Sequence, residues 1–133
     1  MSTIKVGTLL AADGSTTTQP SIPALDKRMA KAWVVYSQVG TPAILASYNC
    51  SSITDRAVGI SSVNMTNAIS SVNYSVNGST VGNTTAWGAT TFVSGDNSYA
   101  KTTTQFSISI RKYGSTYGIS TDVNNISAIV FAN

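Results

Sequence analysis

Few side chains in this sequence have the types and spacing that acid–base or metal chemistry needs. The 133 residues include no His, and the five acidic residues are all Asp: Asp13, Asp26, Asp55, Asp96 and Asp122. General acid–base catalysis requires two tuned groups close together, and a calcium loop alternates several oxygen ligands at short spacing. His-assisted hydrolases and His-ligated zinc sites lack their essential residue. We therefore expect no catalytic residue, no metal site, no cofactor and no enzymatic activity.

The remaining reactive groups have structural interpretations. Asp55 stands next to Arg56, and Asp96 lies in a Gly-Asp-Asn turn, so a surface ion pair and an Asx-turn account for them. Cys50 is the single cysteine and cannot form an internal disulfide. We expect its side chain to behave as a small buried apolar group.

The aromatic residues with a polar tip are candidates for contact with a partner. Trp87, Tyr113 and Tyr117 are each followed directly by a glycine, which is typical of a loop tip. We predict that these three side chains are exposed and contact a receptor. Trp33, at the start of the strand-rich region, is instead predicted to lie in the core.

The charge pattern argues against nucleic acid and membrane as partners. The net charge is +3, yet only 10% of the residues are charged. The basic residues form two small groups, at 27–31 and 111–112, and no continuous basic surface follows from them. Met1–Leu10 lacks the apolar segment of a signal peptide, and no run of about 18 apolar residues occurs. We expect synthesis in the cytoplasm without membrane insertion.

The chain divides into three segments. Residues 1–19 contain the short apolar run Ile4–Leu10, a turn signal at Asp13–Gly14 and then a polar stretch, which indicates an arm and a linker. Such an arm either docks onto a neighbouring protein or frays. Residues 20–33 are predicted to form a short α-helix, because Ile22, Leu25, Met29 and Ala32 recur at helical spacing. This narrow apolar seam suits a bundle about a threefold axis, and an amphipathic helix on its own domain is the alternative.

Residues 34–133 are rich in β-formers separated by turn residues. Phe106, Ile108 and Ile110 alternate with Ser107, Ser109 and Arg111, which predicts a strand with these two sets on opposite faces. A strand over 72–76 is predicted to end at an Asn77–Gly78 turn. The expected fold is an all-β antiparallel β-sandwich of seven or eight strands, preceded by the arm and the helix.

Three motifs in order carry a resemblance to a known family. PALDKRMAKAWVVY at Pro23–Tyr36 is followed by AILASYNCSSITD and then by VNMTNAISSVNYSV. Over about residues 23–76 this order resembles a module of tailed-bacteriophage virion proteins, chiefly tail fibres and related surface fibres. STIKV at Ser2–Val6 also resembles the start of such proteins. Arg-Ala-Val at 56–58 departs from the Gly- and Asn-rich loop of the family, and beyond Val81 the resemblance ends.

The resemblance implies a virion location, a homotrimer and no enzymatic activity. The expected partners are other virion proteins and a carbohydrate or protein receptor on the host surface. Under this interpretation the arm anchors the protein to the virion through Ile4, Val6, Leu9 and Leu10. We expect a tail-fibre or fibre-tip protein for host attachment, with a capsid decoration or head-fibre protein as the alternative. A free carbohydrate-binding module is a third hypothesis.

Overall fold

The computed structural model describes residues 7–8, 10–14, 28–81, 90–94, 99–112 and 119–132. These residues form nine β-strands and include no α-helix. The strands are β1 (Ala32–Ser37), β2 (Ala43–Tyr48), β3 (Cys50–Ala57), β4 (Ile60–Met65), β5 (Tyr74–Thr80), β6 (Thr90–Ser94), β7 (Gln105–Lys112), β8 (Ile119–Ser120) and β9 (Ile126–Ala132). The all-β prediction is confirmed, and the two-residue β8 brings the strand number above the predicted seven or eight.

The strands form two antiparallel sheets that pack face to face. The first sheet has the order β2-β1-β9-β5, and the second has the order β3-β4-β7-β6 with β8 also paired to β7. β9 therefore lies between β1 and β5, although it follows both in the chain. The first sheet depends on pairing between residues that are far apart in the sequence.

One core fills the space between the two sheets. Phe106, Ile108 and Ile110 of β7 are fully buried, as the alternation of this strand predicts. Ile126 and Val130 of β9 face them from the first sheet, and Cys50 is also buried, as predicted. Burial of each large apolar side chain contributes about 1.5–3 kcal/mol to the stability of the fold. This gain determines which face of each strand points inward.

A polar bridge crosses this core between β1 and β4. The Tyr36 hydroxyl lies 2.6 Å from Ser61 Oγ, and Gln38 Nε2 donates to the same oxygen at 3.0 Å. All three residues are buried, and burial raises the pKa of Tyr36, so its hydroxyl stays protonated. Ser61 thus has partners from the opposite sheet, as a buried hydroxyl requires.

Asn49 is the single residue between β2 and β3, where the chain passes from the first sheet to the second. Its φ angle of 54° lies in the left-handed region, which Asn tolerates better than most residues. The side chain donates to Lys31 O at 3.0 Å and Asn67 O at 3.3 Å, and it accepts from Asn67 N at 2.8 Å. Asn49 therefore ties together three separate segments at this corner.

The turn between β3 and β4 is packed into the second sheet. Gly59 has a φ of 70°, donates its N–H to Asp122 Oδ1 at 2.7 Å and accepts from Ile110 N at 2.7 Å. A Cβ at this position would lie 2.6 Å from Thr121 N and 2.7 Å from Ile110 O. Only glycine fits there, because the neighbouring atoms belong to the backbone.

The helix predicted over residues 20–33 does not extend to its predicted end. Residues 28–31 form a turn and a bend, and Ala32 begins β1. Ala32 and Val34 are both buried, so the period of two in this segment prevails over the helical spacing. Residues 20–27 lie outside the described part of the chain.

The predicted turn at Asn77–Gly78 is wrong. Both residues lie within β5, paired with Ile129 and Ala128 of β9. An Asn-Gly pair forms a hairpin turn when the strand directly after it pairs with the strand before it. Here the partner strand is β9, which comes much later in the chain. Ser107 and Ser109 of β7 lie on the face opposite to Phe106, Ile108 and Ile110, as predicted, and both are also buried.

Candidate functional site

The second sheet carries a set of outward polar side chains on three neighbouring strands. We call it the hydroxyl–amide face, and its residues are Ser52, Thr54 and Arg56 on β3, Ser62 and Asn64 on β4, and Gln105 and Ser107 on β7. The strand register aligns them in two rows, Ser52–Asn64–Gln105 and Thr54–Ser62–Ser107. These rows lie opposite to the apolar row of Ile53, Val63 and Phe106, which faces the core.

Asn64 connects the strands of the first row. Its Nδ2 donates to Ser52 Oγ and to Thr54 Oγ1, both at 2.9 Å. Gln105 Nε2 donates to Asn64 Oδ1 at 2.6 Å. Because Ser52 and Thr54 accept these bonds, their own hydroxyl hydrogens remain able to donate to a partner. The row presents donors and acceptors in fixed positions on rigid strands.

Arg56 lies across the second row. Its Nε donates to Ser62 Oγ at 3.0 Å, and Ser62 Oγ is 3.1 Å from Ser107 Oγ. The guanidinium also lies over the Tyr99 ring, 5.2 Å from its centroid, which is the geometry of a cation–π contact. Arg56 is exposed while Ser62 and Ser107 are buried beneath it. The positive charge is held at the surface by two separate contacts.

This face consists of hydrogen-bonding side chains. Arg56 is its one charged member, and the other six are hydroxyl or amide side chains. Elsewhere, burial raises the pKa of Cys50 to about 11 and that of Tyr74 to about 12, so neither group is ionised at neutral pH. Among the described residues no three His, Cys, Asp or Glu side chains come together. The arrangement can form hydrogen bonds with a polar partner.

Most of the site residues predicted from the sequence lie outside the described residues. They are the receptor-contact candidates Trp87, Tyr113 and Tyr117, the anchoring residues Ile4, Val6 and Leu9, and the seam residues Ile22 and Leu25. Leu10 of the arm is 44% exposed. Met29 is 39% exposed, whereas Ala32 is buried in the core of its own chain.

Trp33 is placed differently from its prediction. It lies in β1 between the buried Ala32 and Val34, so its side chain points outward and is 37% exposed. The prediction of a core tryptophan is wrong, because Trp33 lies on the side of β1 that faces away from the core. In a strand the alternating direction of the side chains decides which residues reach the core.

Sequence reasoning missed the hydroxyl–amide face. Asn64 and Gln105 are brought together only by the pairing of β4 with β7, and no short motif encodes that pairing. The signal in the sequence is the alternation within the predicted strands, which places polar residues on one face at 62 and 64 and at 105, 107 and 109.

No helix in the described part of the chain is long and apolar enough to span a membrane. Comparison of the chain with models of known protein families, with curated protein sequences and with solved structures gives no match.

Proposed function

We propose that this chain is a non-enzymatic bacteriophage virion protein, of tail-fibre or fibre-tip type, that takes part in host attachment. The observation that carries the proposal is the hydroxyl–amide face, which offers hydrogen bonds on three rigid strands. The virion setting rests on the resemblance of residues 23–76 to tail-fibre modules.

The bonding within the hydroxyl–amide face favours contact with a partner. Asn64 holds Ser52 and Thr54 in place, and Ser62 holds Arg56. Side chains that are already ordered lose less conformational freedom when they bind. A single face of this size supports weak binding, and several copies on one particle raise the overall strength by avidity.

The proposal includes a homotrimer formed through the seam of Ile22, Leu25 and Met29. Of the seam residues in the described part of the chain, Met29 is 39% exposed, whereas Ala32 is buried in the core of its own chain and is left out of the proposed seam. We expect light scattering to give three times the chain mass of 13.8 kDa. Leu25→Asp should give monomers with the β-sheet signal retained, and an intact trimer in this variant would rule out the seam.

The attachment role is tested by competition. Purified chain should reduce adsorption of the phage to host cells, and the double variant Asn64→Ala, Gln105→Ala should lose most of this effect. Leu45→Ala is the matched control, because Leu45 is 59% exposed and lies on the other sheet. If the double variant competes as well as the unaltered chain while both remain folded, the hydroxyl–amide face is not the contact surface.

The location on the particle is tested by gold-labelled antibody against the chain and electron microscopy of intact virions. Label at the tail is the expected result. Label spread over the head would replace the attachment role with capsid decoration or a head fibre. Virions without label would leave a free carbohydrate-binding module as the remaining hypothesis.

A further inference from the structure

The outer surface of the first sheet contains a groove of about 280 Å³. Three consecutive residues from each of three neighbouring strands line it: Trp33–Val35 of β1, Ser127–Ile129 of β9 and Asn77–Ser79 of β5. Its accessible surface is almost wholly apolar, so the polar atoms of Asn77 and Ser79 contribute little to it. Trp33, at the β1 end, is 37% exposed. The groove therefore suits apolar side chains and offers few hydrogen-bond partners to a polar ligand.

The first sheet also lacks charge. Its four strands read AWVVYS, AILASY, YSVNGST and ISAIVFA, with no charged residue among them. In the second sheet, β3 carries Asp55 and Arg56, and β7 carries Arg111. Covering a charged side chain costs free energy, because the charge loses its contact with water. An apolar segment can cover the outer surface of the first sheet without this cost.

A segment of the chain's own arm matches the groove in chemistry and size. Ser2–Val6 reads STIKV, with apolar side chains at Ile4 and Val6 and a charge at Lys5 between them. When such a segment lies extended, Ile4 and Val6 point to one side and Lys5 points to the other. The two apolar side chains then stand about 7 Å apart, within the span of about 10 Å that three neighbouring strands provide. Both fit the groove while the Lys5 amine stays in water.

The chain between the arm and the groove is long enough for this contact. Val6 and Trp33 are separated by 26 residues. A connection of that length reaches at most about 90 Å, whereas a folded chain of this size has a radius of gyration of about 14 Å. The connection ends beside the groove, because the described chain resumes at Arg28 and enters β1 at Ala32. A tethered segment is present at high local concentration, which favours the chain's own arm over a separate molecule.

From this match we propose that Ile4 and Val6 of the chain's own arm occupy the groove and cover Trp33. The groove is open to them, since all nine lining residues belong to β1, β5 and β9. The contact buries apolar surface of both the arm and the sheet, and so keeps either from associating with other molecules. The two arm residues become available to a virion partner only when they leave the groove. This inference goes beyond the proposed function, because attachment uses the hydroxyl–amide face on the opposite sheet.

The test is hydroxyl-radical footprinting of the purified full chain, with mass spectrometry to read the oxidation of Trp33. We expect Ile4→Asp to raise the oxidation rate of Trp33 by at least about threefold, because an apolar groove does not accommodate a carboxylate. Thr3→Asp is the matched control, because it adds the same charge on the other side of the extended segment and should leave Trp33 protected. Leu45 is the internal reference, since it is 59% exposed on the same sheet and does not line the groove.

The measurement is made on monomers, obtained by dilution or with Leu25→Asp, and light scattering verifies their mass. Equal oxidation of Trp33 in the unaltered chain and in Ile4→Asp overturns the proposal, as does an equal increase in both Asp variants. Protection of Trp33 in trimers that is absent in monomers assigns the groove to another copy and also overturns the proposal. Circular dichroism of each variant ensures that increased oxidation is not loss of folding. A negative result leaves the attachment role standing, because the assay involves neither virions nor the hydroxyl–amide face.

Discussion

The β1–β2 hairpin belongs to the first sheet and the β3–β4 hairpin to the second, and each turn contains a glycine in the left-handed conformation. Gly40 in the first turn and Gly59 in the second have φ angles of 72° and 70°. A Cβ on Gly40 would meet no atom within 4 Å, whereas a Cβ on Gly59 would meet three backbone atoms within 2.9 Å. The first glycine is needed for its conformation alone. The second is also needed because its turn docks against β7 and the segment after β8.

The largest effect is expected from substitution of Gly59, with Gly40 as its comparison. Gly59→Ala should lower the free energy of unfolding by about 3 kcal/mol, which combines a left-handed alanine with overpacking against backbone that cannot move aside. Gly40→Ala should lower it by about 1 kcal/mol, from the backbone conformation alone. Urea unfolding of both variants measures the difference. Equal losses would mean that the Gly59 turn is not packed as described.

A smaller effect is expected at Asn49, which joins the two hairpins. Asn49→Ala removes three hydrogen bonds and leaves an alanine in the left-handed region. We therefore expect it to lower the free energy of unfolding by about 2 kcal/mol. Asn49→Gly keeps the backbone conformation and should lose about 1 kcal/mol. If thermal or urea unfolding finds the glycine variant no more stable than the alanine variant, backbone strain at this corner is negligible.

The smallest effects, of opposite sign, are expected at two serines of β7 in the second sheet. Ser107 Oγ is bonded to Ser62 Oγ, so Ser107→Ala should lower stability by about 1 kcal/mol. Ser109 Oγ is buried with no partner in the described part of the chain, so Ser109→Ala should raise stability by about 0.5 kcal/mol. Differential scanning calorimetry of the pair is the measurement. Destabilisation by Ser109→Ala would indicate that its hydroxyl has a partner in solution.

The sequence predicts those features of the fold that depend on a local pattern. It does not predict contacts that depend on pairing between strands far apart in the chain. The alternation over 105–112 predicts the buried side of β7, because the apolar residues repeat with the period of a strand. The outward position of Trp33 follows from the burial of Ala32 and Val34, which the helical spacing of the preceding residues obscured. Asn77 and Gly78 lie within a strand because β9 pairs with them. The hydrogen bond between Asn64 and Gln105 forms because β4 pairs with β7. Neither partner strand adjoins the segment in the chain.

The central position of β9 constrains the order in which the protein folds during synthesis. A ribosome adds about 5–20 residues per second, so β1 and β5 leave the exit tunnel before the strand that must pair with both. Until residues 126–132 emerge, each has an unpaired edge on that side, and the apolar residues of β1 lack part of their cover. The nascent chain is therefore expected to be most prone to aggregation just before β9 appears.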